Sequence, residues 1–223
     1  METEWVAWHR RYEREPGLVR RLETVRELIR RELAARPAGP IRAISLCAGD
    51  GRDLLEVLAS HPRGPDVTAR LVDADPTLVA AGRERIARSG FGGVEFRLAD
   101  AGAPDAVEGA VPADLVVACG IFGNIADDDL HHFVDRLPEL CAPGAAVVWT
   151  RGRFEPDLTP TIRGWFRAAG FDEIAFVAIP NSTMSAGAHR FTGSPRNLDL
   201  RGRLFTFLPE AERPSRRTPR APG

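Results

Sequence analysis

The sequence contains no lysine: all 30 basic residues are arginine, and 31 acidic residues set against them leave a formal charge of −1 at pH 7. A chain this close to neutral has no overall field to draw in nucleic acid or an anionic membrane surface, and neither is expected as a partner. Cysteine is scarce, with only Cys47, Cys119 and Cys141. An odd number, widely spaced and without a CxxC pair or a histidine at ligand spacing, points to buried reduced thiols; neither a disulfide framework nor a metal site is expected. Long apolar runs are missing too. No stretch reaches membrane-spanning length, and METEWVAWHRRYEREPG lacks the cationic start and apolar centre of a secretory leader, so the expected location is cytoplasmic.

What is present is alternation. Leu18, Leu22, Val25, Leu28, Ile29 and Leu33 recur near helical spacing after a break at Pro16 and Gly17, which predicts a short helix followed by a longer amphipathic one. Beyond the RPAGP loop at 36–40, strand and helix signals alternate: IRAISLC, then GRDLLEVLAS; TARLVD, then PTLVAAGRERIARS with Pro76 in its first turn; VEFRLAD; ADLVVACG, then ADDDLHHFVDRLPELC with Asp127 or Asp128 as its cap; GAAVVWT, then TPTIRGWFRAAG. Five parallel strands follow from that period. After Gly170, DEIAFVAI, SAGAHRFTG and GRLFTFL are extended segments with no helix between them, so the sheet must end in antiparallel pairing. The expected fold is α/β, with a doubly wound, mostly parallel seven-stranded sheet, an antiparallel edge strand and N-terminal helices. Residues 1–38 form a helical cover, 39–208 the main domain, and 209–223, rich in Pro and Arg with no large apolar residue, a disordered tail.

In such a sheet ligands bind beyond the carboxyl ends of the strands, and the loop leaving the first strand lies where strand order reverses. Here that loop reads CAGDGRD. Gly49 and Gly51 remove side chains where the turn is tight and where a ligand must touch main chain, and the helix that follows offers free N–H groups. Asp73 closes the second strand, where a carboxylate can accept from both hydroxyls of a ribose. Asp100 closes the third, where it can accept from an adenine amino group while the Ala101 N–H meets a ring nitrogen. A nicotinamide fingerprint wants a third glycine where Asp53 stands, which argues against that cofactor.

Glycine loop, acid after strand two, acid plus small residue after strand three and an apolar fourth strand together resemble the class I, Rossmann-like S-adenosylmethionine-dependent methyltransferases of small-molecule type. The likeness covers roughly residues 41–151 and extends to 208 through the antiparallel end. It implies S-adenosylmethionine as cofactor, with Ala48, Gly49 and Gly51 around its methionine part, Asp73 and Ala74 at the ribose, Asp100 and Ala101 at the adenine, and Cys119 and Gly120 beneath the sulfonium. Two positions depart from the family pattern: Ser45 stands where an acid is usual, and Cys47, counted with the cofactor residues, where the first glycine is usual. Asp50 and Asp53 thereby become candidates to hold the cofactor's ammonium.

Methyl transfer is an in-line displacement, so the protein's main task is alignment, with a base needed only for a protonated nucleophile. Asn124 falls where several small-molecule O-methyltransferases carry histidine and is expected to orient the acceptor, and His189 is the expected base, with His131 and His132 more simply an exposed helix face. Trp5, Trp8, His9 and Tyr12 share one helical face and can lid a substrate pocket, with His9 and Tyr12 touching substrate. Trp149 and Arg151, after strand five, are placed to stack on or pair with an aromatic or acidic substrate. Strand four ends in CGIFGNI rather than the Asn/Asp-Pro-Pro-aromatic motif of enzymes that methylate amino groups of nucleic acid or protein, so the expected acceptor is a diffusible small molecule. The alternative is a catalytically silent S-adenosylmethionine-binding protein with a partner or sensor role, motivated by Ser45, Cys47 and the lack of an obvious base.

Overall fold

A computed structural model describes residues 3–213. Helix α1, Glu4–Arg10, is capped by Thr3, whose hydroxyl accepts from the Val6 N–H. A 3-10 turn at Arg11–Glu13 leads into α2, Pro16–Ala35, where Pro16 holds the first helical position, at which a missing N–H costs nothing. The apolar positions Leu18, Val25, Leu28, Ile29 and Leu33 are all buried on one face of α2.

The alternating units then follow: β1 Ile41–Leu46, α3 Leu54–Ser60, β2 Val67–Asp73, α4 Pro76–Ser89, β3 Val94–Leu98, β4 Ala113–Ala118, α5 Asp127–Arg136, β5 Cys141–Gly152, α6 Thr159–Ala168, β6 Phe171–Ala178 and β7 Met184–Phe191. One seven-stranded sheet results, in the order β3-β2-β1-β4-β5-β7-β6. Strand order reverses between β1 and β4, which pair in parallel and leave a crevice at their carboxyl ends. The expected doubly wound, mostly parallel sheet is the observed one. Its antiparallel member, β7, lies one strand in, between β5 and the outermost β6.

Two apolar layers sandwich the sheet. α2, α3 and Val79 of α4 bury against one face; α5, α6 and the segment around Leu204 and Phe205 cover the other. β1, β4 and β5 are buried almost throughout, as parallel strands covered on both sides must be. The second layer centres on Trp149, which stacks on Phe122 at 5.3 Å and Phe166 at 5.8 Å.

Three expectations need correction. GRLFTFL forms no ladder strand: Phe207 makes one isolated bridge to Ile125, while Leu204 and Phe205 are buried as a strap across the helical layer. Neither Asp127 nor Asp128 caps α5; the cap is Ala126, and Asp127, Asp128 and Asp129 occupy the first turn, where negative charge suits the helix dipole. Residues 209–213 of the expected disordered tail are ordered, because Arg213 finds partners at the other end of the chain, the Glu4 carboxylate at 2.7 Å and the Trp5 ring, besides the nearby Leu208 carbonyl. The rest of that tail, 214–223, lies outside the described residues.

Gly187 of β7 stands opposite Trp149 in the register, and a Cβ there would lie 2.4 Å from the indole ring. Fully buried and packed against Phe122, Phe166 and His189, the indole has little room to retreat. Gly187→Ala is therefore expected to cost about 1–3 kcal/mol of stability by overpacking, measured by urea denaturation at pH 7.

Candidate active site

A cavity of about 760 Å³ opens at the carboxyl ends of the strands. Its floor is the loop leaving β1. Cys47 adopts φ 52°, a conformation disfavoured for a side-chain-bearing residue, so the cysteine carries the backbone shape that glycine supplies in the resembled pattern. Ala48 N–H then bonds the Val72 carbonyl at 3.0 Å and Gly51 N–H closes the turn on the Ala48 carbonyl at 2.8 Å. Gly49 and Gly51 both have positive φ, 61° and 74°. A Cβ on Gly49 would meet the His9 ring at 2.0 Å, and one on Gly51 would meet Leu55 and Leu71 at 2.7 Å, so neither position tolerates a side chain.

Asp73, at the end of β2, accepts the Gly49 N–H at 2.7 Å on one oxygen and the Asp75 N–H at 2.9 Å on the other. Burial raises its pKa to about 6, more than those N–H bonds lower it. Asp75 is buried and caps α4, accepting from Thr77 and Leu78 at 2.8 and 3.1 Å. Asp53 caps α3 through the Leu54 N–H at 2.7 Å, and burial pushes its pKa up. Asp100 accepts from Gly102 N–H at 2.8 Å and from the Arg203 guanidinium at 2.5 Å.

The cavity brings together His9, Tyr12, Cys47, Ala48, Asp53, Asp73, Ala74, Asp100, Ala101, Cys119, Gly120 and Asn124 from the sequence-based set. Five others lie elsewhere. Gly49 and Gly51 shape the floor from behind. Asp50 is spent on guanidiniums, Arg52 at 2.8 Å and Arg85 at 3.2 Å; burial raises its pKa but these partners more than reverse that, and it does not face the cavity. The ammonium candidate is thereby Asp53 alone. Trp149 and His189 also miss the cavity: both are buried in the aromatic layer, with Trp149 Nε1–H donating to His189 Nδ1 at 3.0 Å and Phe166 stacked on His189 at 4.2 Å. The expectations for His189 as base and substrate contact, and for Trp149 as substrate contact, are corrected on that ground. The alternation along β5 and β7 turns both side chains into the helical layer. Asn124 faces the cavity, but its amide nitrogen donates to the Gly120 carbonyl at 2.5 Å, holding the turn after β4. Ser45 is fully buried, its hydroxyl without a hydrogen-bond partner among the described residues. Among those residues no cluster of three or more His, Cys, Asp or Glu is arranged to hold a metal, and no helix is long and apolar enough to cross a membrane.

The cover over the cavity is better developed than the sequence suggested. Trp5, Trp8, His9 and Tyr12 all line it, as do Arg21 and Leu22 from α2 and Phe154 and Phe207 from beyond β5. Arg52 donates to the His9 carbonyl at 3.3 Å, Thr3 hydroxyl bonds Asp75, and Arg213 pairs with Glu4, so α1 is fastened on several sides. Arg21, missed in the sequence, was reachable from it: it precedes Leu22 on the α2 face that turns toward the core.

A family model described as "Putative methyltransferase" matches residues 15–165. The chain belongs to this methyltransferase family. A curated relative, the uncharacterized protein YnbC of Escherichia coli (strain K12), is 28% identical over 121 residues, which is 53% of this chain and 20% of that protein. The chain thus corresponds to about one fifth of that relative. Among solved structures, an O-methyltransferase family protein from Burkholderia thailandensis superposes with TM-score 0.60 at 23% identity, over 78% of this chain and 55% of that one. The 1,6-didemethyltoxoflavin-N1-methyltransferase of the same organism, solved with its substrate and S-adenosylhomocysteine, has TM-score 0.64 at 15% identity over 85% and 84%. The magnesium protoporphyrin IX methyltransferase of Synechocystis PCC 6803, solved with S-adenosylmethionine, has TM-score 0.62 at 10% identity over 85% and 98%. At these identities the likeness establishes a shared Rossmann-like methyltransferase fold.

In this protein His189 is a structural residue with a measurable signature. Burial holds its pKa down at about 4 from an ordinary 6.5, against the pull of Glu173. The unfolded chain then binds the proton more readily, so the fold is most stable above pH 6.5 and loses stability as pH falls toward 4. By pH 5 the loss through this residue is about 2 kcal/mol. His189→Phe, which keeps the ring stack, is expected to lose that much less than wild type between pH 7 and pH 5 in urea denaturation.

Proposed function

We propose that this protein transfers a methyl group from S-adenosylmethionine to a small-molecule acceptor inside the covered cavity, with residues 1–38 as the cover and 39–208 as the cofactor-binding domain. One observation carries the reading: the cavity gathers Asp53, Asp73 and Asp100 from three successive strand ends around a glycine turn that no side chain could occupy. Asp73, already polarised by two backbone N–H groups, is the acceptor for ribose hydroxyls. Asp100 with Ala101 serves the adenine side once Arg203 yields one oxygen. Asp53 and Arg21 both act electrostatically on the Cys119 thiol, so a carboxylate and a guanidinium flank the end of β4. That pair suits the ammonium and carboxylate of an amino acid. When bound, the cofactor supplies an activated methyl on a cationic sulfur; the protein's part is to hold the acceptor in line with it and keep water out.

His9 replaces His189 as the base for an acceptor that must lose a proton. It is the histidine that lines the cavity; its Nδ1 lies 3.0 Å from the Trp5 carbonyl, which places the proton there and leaves Nε2 as a lone pair. Burial lowers its pKa, keeping it neutral at pH 7.

S-adenosylhomocysteine is expected to bind in isothermal titration calorimetry, and Asp73→Ala to weaken it about 100-fold or more through two lost charge-assisted hydrogen bonds. Affinity should also decline as pH falls through about 6, where Asp73 gains a proton and loses acceptor capacity. An Asp73→Ala protein that melts like wild type and binds with unchanged affinity overturns the ribose assignment.

A further inference from the structure

The cavity is lined by charged side chains of both signs. Its carboxylates, Asp53, Asp73, Asp75 and Asp100, come from the ends of β1, β2 and β3 and the turns after them, and the arginine among them, Arg52, is paired with Asp50; outside those turns the lining guanidiniums are Arg11 and Arg21 of the N-terminal helical segment and Arg151 at the end of β5. Acids suit a diol, an ammonium and a sulfonium; a guanidinium not spent on them suits an anion.

The three arginines are not equally committed. Arg11 pairs with Glu15 at 2.5 Å. Arg21, hydrogen-bonded to the Tyr12 hydroxyl, lines the same cavity as Cys119 and is assigned above to the cofactor's carboxylate. Arg151 remains. It is only 8% exposed, yet its one carboxylate contact among the described residues is Asp127 at 3.2 Å, a side chain that is 57% exposed; its other contact is the Phe122 carbonyl. Burial lowers its pKa, against the pull of Asp127 and of the more distant Asp157. The strand end also brings apolar side chains to the cavity: the Phe154 ring packs on Gly152, and Met184 pairs with Gly152 across the β5–β7 ladder, all three lining the cavity.

We propose that the acceptor is a planar small molecule bearing a carboxylate, with the carboxylate docked on Arg151 and the ring against Phe154 and Met184. This rests on the methyltransferase reading above and narrows its substrate class. A guanidinium fork matches a carboxylate in two parallel hydrogen bonds, and an apolar wall beside it selects for a flat body.

The test uses protein saturated with S-adenosylhomocysteine and titrates benzoate, 4-hydroxybenzoate and indole-3-acetate, each against its neutral amide. At least one carboxylate is expected to bind tenfold or more tightly than its amide. Arg151→Met should abolish that preference and Arg151→Lys should retain only part of it, with affinity for S-adenosylhomocysteine within twofold of wild type in both. Absence of any preference in wild type, or a preference that survives Arg151→Met, overturns the proposal. Should Arg151→Met not fold, a full preference in Arg151→Lys does the same, because a lysine lacks the fork. Failure of wild type to bind S-adenosylhomocysteine at all overturns the underlying reading instead, and so the two failures are distinguishable.

Discussion

The hydrogen bond from Gly49 N–H to Asp73 ties the turn leaving β1 to the end of β2, and the rest of the site is arranged around it. The turn must enter a left-handed conformation at Cys47, run past a glycine with no side chain, and begin α3 at Asp53. Asp73 is fixed in turn by the Asp75 N–H, and Asp75 starts α4. One carboxylate thus sets the relation of two strand ends and two helix starts. Burial makes it costly to keep ionised, which is why its pKa rises.

Arginine supplies much of the remaining fastening. Arg63 donates to the carbonyls of Arg36 and Gly39, Arg83 to that of Phe96, Arg136 to those of Asp199 and Arg203, and Arg151 to that of Phe122. A forked donor can reach a carbonyl and a carboxylate together, as Arg136 does with Glu139 at 2.6 Å. An ammonium could not replace it there with the same geometry. The absence of lysine is in this sense a structural property as well as a compositional one.

Local signals were legible and long-range ones were not. α4 could be read to its ends because Asp75, Pro76 and Gly90 act through their own neighbours: cap, first turn and left-handed stop. The site acids were legible because they sit at strand ends, where topology alone delivers them to one crevice. Asp50 was misread because a chain pattern does not show which way a loop carboxylate turns, here toward Arg52 and the distant Arg85, and His189 because the strand alternation that turns it into the aromatic layer depends on β7 inserting between β5 and β6. The order of residues 209–213 escaped composition for the same reason, since the contacts that hold Arg213 are made with α1.

That last contact gives the two ends of the described chain a shared fate. Glu4 and Arg213 tie α1 to the segment after Phe207, and Trp5 and Phe207, packed at 5.6 Å, both line the cavity. Passage of a ligand that requires α1 to lift must also release the segment that ends at Arg213. The first and last described segments therefore hold this wall of the cavity jointly, and loosening either one loosens the other.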